Sequence, residues 1–275
     1  MLITLTMGFG KQSHGVGMME AVIAEIAPQA RVIHYMHGIE DYDTMSAARV
    51  LETVQFIMPA IHVCVCDPGV GTARRPLAIL THRGDIIIGP DNGVLLPAVV
   101  ALGGAVEVRE ISNPAVMRRP ISAVFHGRDV FCPAAAQLAN GLRFELVGEP
   151  VDPATLAPAP FTDAAREEGR WMAQVIHVDK FGNAHLNIAR DEWRSLAPPD
   201  GGTVDVVLQG GRRVAVAHHS TFGDVRPGAP VMLAENDGRP ALAINRGSFA
   251  ATYGIELRDD VMVETALPPR HAFER

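Results

Sequence analysis

Short apolar runs alternate with amphipathic stretches along the first half of the chain. Residues 2–6, 30–36, 61–66, 77–81, 86–88 and 105–111 are rich in Val, Ile, Leu and Ala and have strand length. Between them, 17–26 and 44–56 place apolar residues three and four positions apart, as a helix with one buried face requires. Asp43 stands where the second helix needs an N-cap. Residues 131–140, alanine-rich and followed by Gly141, predict a further helix with a glycine stop. Strands and helices in this alternation predict an α/β domain over 1–150, a mixed or parallel sheet flanked by helices.

The pattern changes after residue 150. Residues 151–170 are dense in proline, alanine and charge, and are expected to link two domains. Beyond them, 171–178, 184–188, 203–208, 213–217, 230–234 and 239–245 are short strand-like runs punctuated by Gly-Gly, Phe-Gly and Pro-Gly. Such spacing predicts an all-β C-terminal domain over 171–275, a small antiparallel barrel.

Composition narrows the function. A chain of 275 residues, 48% of them hydrophobic, has material for buried cores, so disorder is not expected. A net charge of -7 and the absence of basic runs argue against tracking nucleic acid. No stretch approaches the ~20 apolar residues of a membrane span. The N-terminus MLITLTMGFG reads as a first strand and not as an export signal. Of three cysteines, Cys64 and Cys66 share one face of a strand, and all read as reduced residues of a cytoplasmic protein. No HxxxH or CxxC spacing offers a metal site, and no cofactor is expected.

Candidate chemistry concentrates at strand ends. DPGVGTARR, at 67–75, follows the 61–66 strand, where α/β sheets bind ligands, and its glycines and proline can turn Asp67 and Arg74 toward one point. A strand-ending turn with a surface ion pair fits the same residues. FHGRD, at 125–129, sets His126 at a probable helix entrance, with Arg128 and Asp129 suited to a local ion pair. GPDNG, at 89–93, is either a tight turn or part of a site wall. VDKFGN, at 178–183, is a β-turn by default, although an aromatic ring and an amide two residues apart can meet the face and edge of a purine.

Taken in order and spacing, DPGVGTARR, GPDNGVLLP, FHGRDVFCPAAAQLA, HVDKFGNAHLNI and NRGSFA resemble the S-adenosylmethionine (SAM) hydroxide adenosyltransferase family, relatives of the fluorinase and chlorinase. The resemblance covers nearly the whole chain. It implies an N-terminal α/β domain with a C-terminal barrel, and a homotrimer whose site lies between one subunit's first domain and its neighbour's second. It implies Asp67, Arg74 and His126 as the triad handling a nucleophilic water, with Arg74 holding the forming hydroxide and either Asp67 or His126 taking the proton. Phe181 and Asn183, with Asp179 in the same motif and aided by Asn245 and Ser248, would hold the adenine end, and Tyr42 would lie against the sugar. The implied reaction is hydrolysis of SAM, as substrate and not cofactor, to adenosine and methionine. The same triad acting on another adenosyl or nucleoside-like substrate, or a nucleoside-binding protein without turnover, would use the same scaffold.

The chain departs from the family pattern at the sugar end. Gly8 occupies the position where relatives carry an aspartate for the ribose hydroxyls, and Asp43 or a backbone group is the expected substitute. The loop at 235–238 is acidic where relatives place serine near the amino acid carboxylate.

Overall fold

Strand β1 (Leu2–Met7) is buried along almost its whole length on both faces, including Thr4 and Thr6, and this double burial marks it as a central strand. The computed structural model describes residues 1–10 and 13–265. After β1 come α1 (His14–Ile26), β2 (Arg31–Met36), α2 (Thr44–Glu52), β3 (Ile61–Val65), β4 (Pro76–Thr81), β5 (Ile86–Pro90), α3 (Leu96–Ala101), β6 (Ala105–Glu110) and α4 (Cys132–Ala139). The strands form one sheet in the order β2-β1-β3-β5-β4-β6. Pairing is parallel from β2 through β5 and antiparallel on both sides of β4, so the sheet is mixed, as expected.

Helices α1 and α4 pack on each other and cover the sheet face that carries Ile3, Leu5, Met7, Val63 and Val65. Helix α1 starts three residues earlier than the apolar period alone predicts, because Ser13 caps it by accepting from Gly15 N. Asp43 caps α2 as expected, accepting from Ser46 N at 2.9 Å. Short α3, six residues long and apolar throughout, has no periodic signature.

The opposite sheet face carries a buried polar chain. Thr4 Oγ1 lies 2.8 Å from His62 Nδ1, and His62 Nε2 donates to Asp85 Oδ1 at 3.0 Å. Asp85 also accepts from Arg83 and from Ala60 N. A threonine, a histidine and an aspartate in hydrogen-bonded series resemble a nucleophilic triad, but all three are fully buried. They staple β1, β3 and the start of β5, and have no access to a substrate.

The first compact unit runs from Met1 to Pro160 and the second begins at Phe161. The segment 151–170 is therefore divided. Arg75 bonds Thr155 and Asp91 accepts from Ala157 N, which fastens its first part to the α/β unit. Its last part contains the strand β7 (Ala165–Glu167) of the second unit.

In the second unit, β7 is followed by β8 (Arg170–Val178), β9 (Ala184–Leu186), α5 (Arg190–Leu196), β10 (Thr203–Val207), β11 (Arg213–His218), β12 (Pro230–Ala234), β13 (Pro240–Ile244), α6 (Phe249–Tyr253) and β14 (Asp260–Thr265). The sheet order is β14-β10-β11-β12-β13-β9-β8-β7, and β14 also pairs with β8, which closes a ring of seven strands with β7 outside it. Inward residues such as Trp171, Val204, Val216 and Leu242 fill the interior with Trp193 of α5. The expectation of an antiparallel barrel is corrected in one place: β11 and β12 run parallel. Ladder direction is a property of paired strands, so no local pattern in either strand announces it.

Candidate active site

The chain leaves β1 toward β2 on one side of the sheet, and β3 lies on the other side of β1. This makes the carboxyl ends of β1 and β3 a topological switch point, where open α/β sheets form a crevice. A cavity of about 370 Å³ lies there, lined by residues that include Gly8, Phe9, Tyr42, Cys66, Asp67, Val70, Phe125 and His126.

The 67–74 loop folds back on itself. Val70 N donates to Asp67 O, Thr72 N and Thr72 Oγ1 donate to Gly69 O, and the loop returns Arg74 to Asp67. Arg74 Nε donates to Asp67 Oδ1 at 3.0 Å and its Nη2 to Oδ2, a two-pronged pairing with both side chains over nine-tenths buried. The same Nη2 lies 2.8 Å from His126 Nδ1. A guanidinium has no acceptor, so Nδ1 must be the unprotonated nitrogen, and neutral His126 carries its proton on Nε2. Burial, and then the Arg74 charge, hold the His126 pKa below the ordinary histidine range, so the ring is neutral at neutral pH.

His126 stands just before a single π-helical turn, Gly127–Phe131, that leads into α4. Gly127 packs tightly there, since a Cβ would collide with Met19 Sδ on α1. Arg128 and Asp129 form the local ion pair the sequence suggests, with Asp129 Oδ2 also accepting from Ser122 N. Asn92 of the GPDNG turn donates to Cys66 O and so braces the residue before Asp67. The Cys66 thiol borders the cavity, but burial pushes its pKa up to about 12 and keeps it protonated.

Of the sequence candidates, Asp67, His126 and Tyr42 line the cavity; Arg74 bonds the first two and is not itself in the lining. Tyr42 has a left-handed backbone (φ 64°) and is 77% exposed. Asp43 is not in the lining; its Oδ1 caps α2, and its charge lies near enough to Cys66 to add to burial in raising that thiol. Phe9, Phe125 and Asp41 also line it; Phe125 opens the FHGRD motif but carries no assigned role there, and Phe9 and Asp41 are not among the sequence candidates. The two phenyl rings meet edge-on at 6.4 Å.

The remaining candidates lie in the second unit, where Asp179, Phe181, Asn183 and Ser248 form a cluster. Asp179 accepts from Phe181 N, Asn183 N and Asn183 Nδ2, all within 2.9 Å. Burial pushes its carboxyl up, but these donors and His185 outweigh it and hold the group well below the usual carboxylate range. Asp179 thus organises the turn that leaves the Phe181 ring 64% exposed and Asn183 buried. Gly182 has φ +79°, and a Cβ there would collide with Ser248 Oγ, so Ser248 sits directly on the turn. Asn245 differs: its Nδ2 donates to Val225 O at 2.7 Å. Asp200, His219 and Asp224 place possible ligand atoms within 4.8 Å of one another, but both carboxylates already accept backbone N–H groups in the 220–224 loop.

Fold and site together define a two-unit protein, an α/β sheet plus a closed barrel, with an arginine-bridged aspartate and histidine at a sheet switch point. The chain belongs to the SAM hydroxide adenosyltransferase family, whose N-terminal domain matches residues 3–148 and whose C-terminal domain matches 173–262. It is 38% identical over 261 residues to the (R)-S-adenosyl-L-methionine hydrolase of Salinispora arenicola, covering 93% of this chain and 96% of that one. It is also 38% identical over 256 residues to the hydrolase of the same name from Thermus thermophilus, covering 90% and 93%. A crystal structure of an uncharacterised conserved protein from Thermotoga maritima superposes with a TM-score of 0.89 at 30% identity, over 96% of this chain and all of that one. Among the described residues no helix is long and apolar enough to cross a membrane.

Proposed function

We propose that the protein hydrolyses SAM to adenosine and L-methionine by attack of water on the ribose 5' carbon. The observation that carries this reading is the hydrogen-bonded array Asp67–Arg74–His126 beside the switch-point cavity. The names of the relatives support the substrate.

A sulfonium leaves without protonation, so the chemistry the protein must supply is a competent oxygen nucleophile; water, with a pKa of about 15.7, is a poor one. His126 offers Nε2–H as its remaining ring group and can hold the water oxygen by donating to it. That leaves Asp67 as the proton acceptor. As the carbon–oxygen bond forms, the carbon–sulfur pair returns to sulfur, the thioether of methionine departs, and the water proton passes to Asp67 and then to solvent. Arg74 works through the other two: it fixes the carboxylate's orientation and locks the histidine tautomer.

Incubation with SAM in oxygen-18 water is expected to give adenosine labelled at the 5' hydroxyl and unlabelled methionine. Products without label in adenosine would overturn water attack on that carbon. The reading includes a cytoplasmic setting, in keeping with free, buried Cys64, Cys66 and Cys132. It also includes a homotrimer in which the Asp179–Asn183 turn of one copy serves the cavity of the next. Light scattering is expected to give three times the 29.5 kDa chain mass, and a monomer would remove the shared site.

A further inference from the structure

The cavity's catalytic groups are engaged with one another. Both Asp67 oxygens accept from Arg74, His126 Nδ1 takes the same guanidinium, and the Cys66 thiol is protonated. Gly8 brings no side chain to the end of β1. The lining holds two carboxylates, Asp67 and Asp41, and Asp41 is the one left over: exposed on the cavity wall, it makes no hydrogen bond or ion pair with another described residue.

Its position is fixed from both sides. Asp43 N donates to Glu40 O and Thr44 N to Tyr42 O, and the Asp43 carboxylate ties the end of this turn to the first residues of α2. The left-handed backbone of Tyr42 belongs to the same tight turn. Asp41 and Tyr42 are thus neighbours in one hydrogen-bonded turn, and both line the cavity.

We propose that Asp41 is the group that accepts the two ribose hydroxyls of the substrate. A carboxylate has two oxygens to offer a vicinal diol, each bond charge-assisted, and Tyr42 supplies an apolar face beside the ring. This assignment rests on the functional reading above, because it presupposes a nucleoside in this cavity. It gives the protein a ribose-selecting residue on the loop after β2, where the end of β1 has only glycine.

The test compares wild-type protein with Asp41→Asn, using adenosine and 2',3'-dideoxyadenosine as probes. Wild type is expected to bind adenosine at least about tenfold more tightly than the dideoxy analogue, and the variant to lose most of that preference. KM for SAM should rise about tenfold to a hundredfold in the variant, more than kcat falls, with the melting temperature held. A variant that keeps the wild-type preference, or a wild type that binds both nucleosides equally, overturns the assignment while leaving SAM hydrolysis intact. A wild type that neither hydrolyses SAM nor binds adenosine overturns the functional reading and this assignment with it.

Discussion

Asp67→Asn is expected to lower kcat for SAM hydrolysis by about 10³-fold while the protein keeps its fold. The amide preserves shape but cannot take a proton, and it faces Arg74 with an N–H₂ where the native pairing has two acceptors. His126→Ala should cost a comparable amount, and the double variant little more than either single one, because the two residues act as one unit through Arg74. Retention of more than a tenth of wild-type kcat in Asp67→Asn would remove Asp67 as proton acceptor.

The pH profile adds an independent check on the same array. His126 must be neutral for Nδ1 to accept from Arg74, and its pKa is depressed, so protonation and loss of activity begin only as pH falls below the ordinary histidine value of about 6.5. Burial is the larger cause and the Arg74 charge the second, so Arg74→Gln should move the acid limb upward without restoring it fully. A limb that stays in place in this variant would mean that the guanidinium does not set the histidine's charge.

The largest effect on stability is expected away from the cavity, at Asp85. Asp85→Ala leaves His62 and Arg83 without their carboxylate beneath the sheet, and removing one partner from such a buried arrangement typically costs about 3–5 kcal/mol. Urea denaturation should show this as a lower midpoint with the slope kept. Burial alone would raise the Asp85 pKa, but the bonds from His62, Arg83 and Ala60 N outweigh it and hold it well below the usual range. The contribution of a depressed carboxyl is fully present above the unfolded pKa of about 3.9 and is lost as pH falls through the lower folded value. Wild-type stability should therefore fall on acidification below about pH 4, and the variant should lack this component. A midpoint unchanged by the substitution would refute the stapling role.

Much of this was legible in one dimension. The six strands of the first unit are apolar runs of strand length, and the Asp43 cap stands in plain sequence order before its helix. Asp67 and Arg74 could be paired because the loop that joins them is short and glycine-rich. The His62–Asp85 chain was not legible, since a histidine inside a strand acquires its partner only when β5 is laid beside β3. Asp41 was hidden for the opposite reason: an acid in a polar turn between Glu40 and Asp43 looks like solvent-facing punctuation until the cavity is placed. The closing strand β14 escaped because its signal is only Val261 and Val263 alternating with other residues near the end of the described chain. The start of α1 was obscured by Gly15 and Gly17, which weaken a helical signal that Ser13 restores.

The parallel pair in the barrel follows from counting. Going once around a closed ring, strand direction must return to itself, so the number of reversals is even. Seven strands make seven neighbour pairs, and at most six of them can be antiparallel. One parallel step is thus a matter of parity, and the ring places it at β11 and β12. A hairpin cannot make that step: the chain from His218 to Pro230 has to travel back along the barrel before the next strand begins. The Thr221–Asp224 capping turn and the Asn245 bond to Val225 O both hold this return path. An odd ring therefore commits part of its polar side chains to a traverse that an even one need not contain.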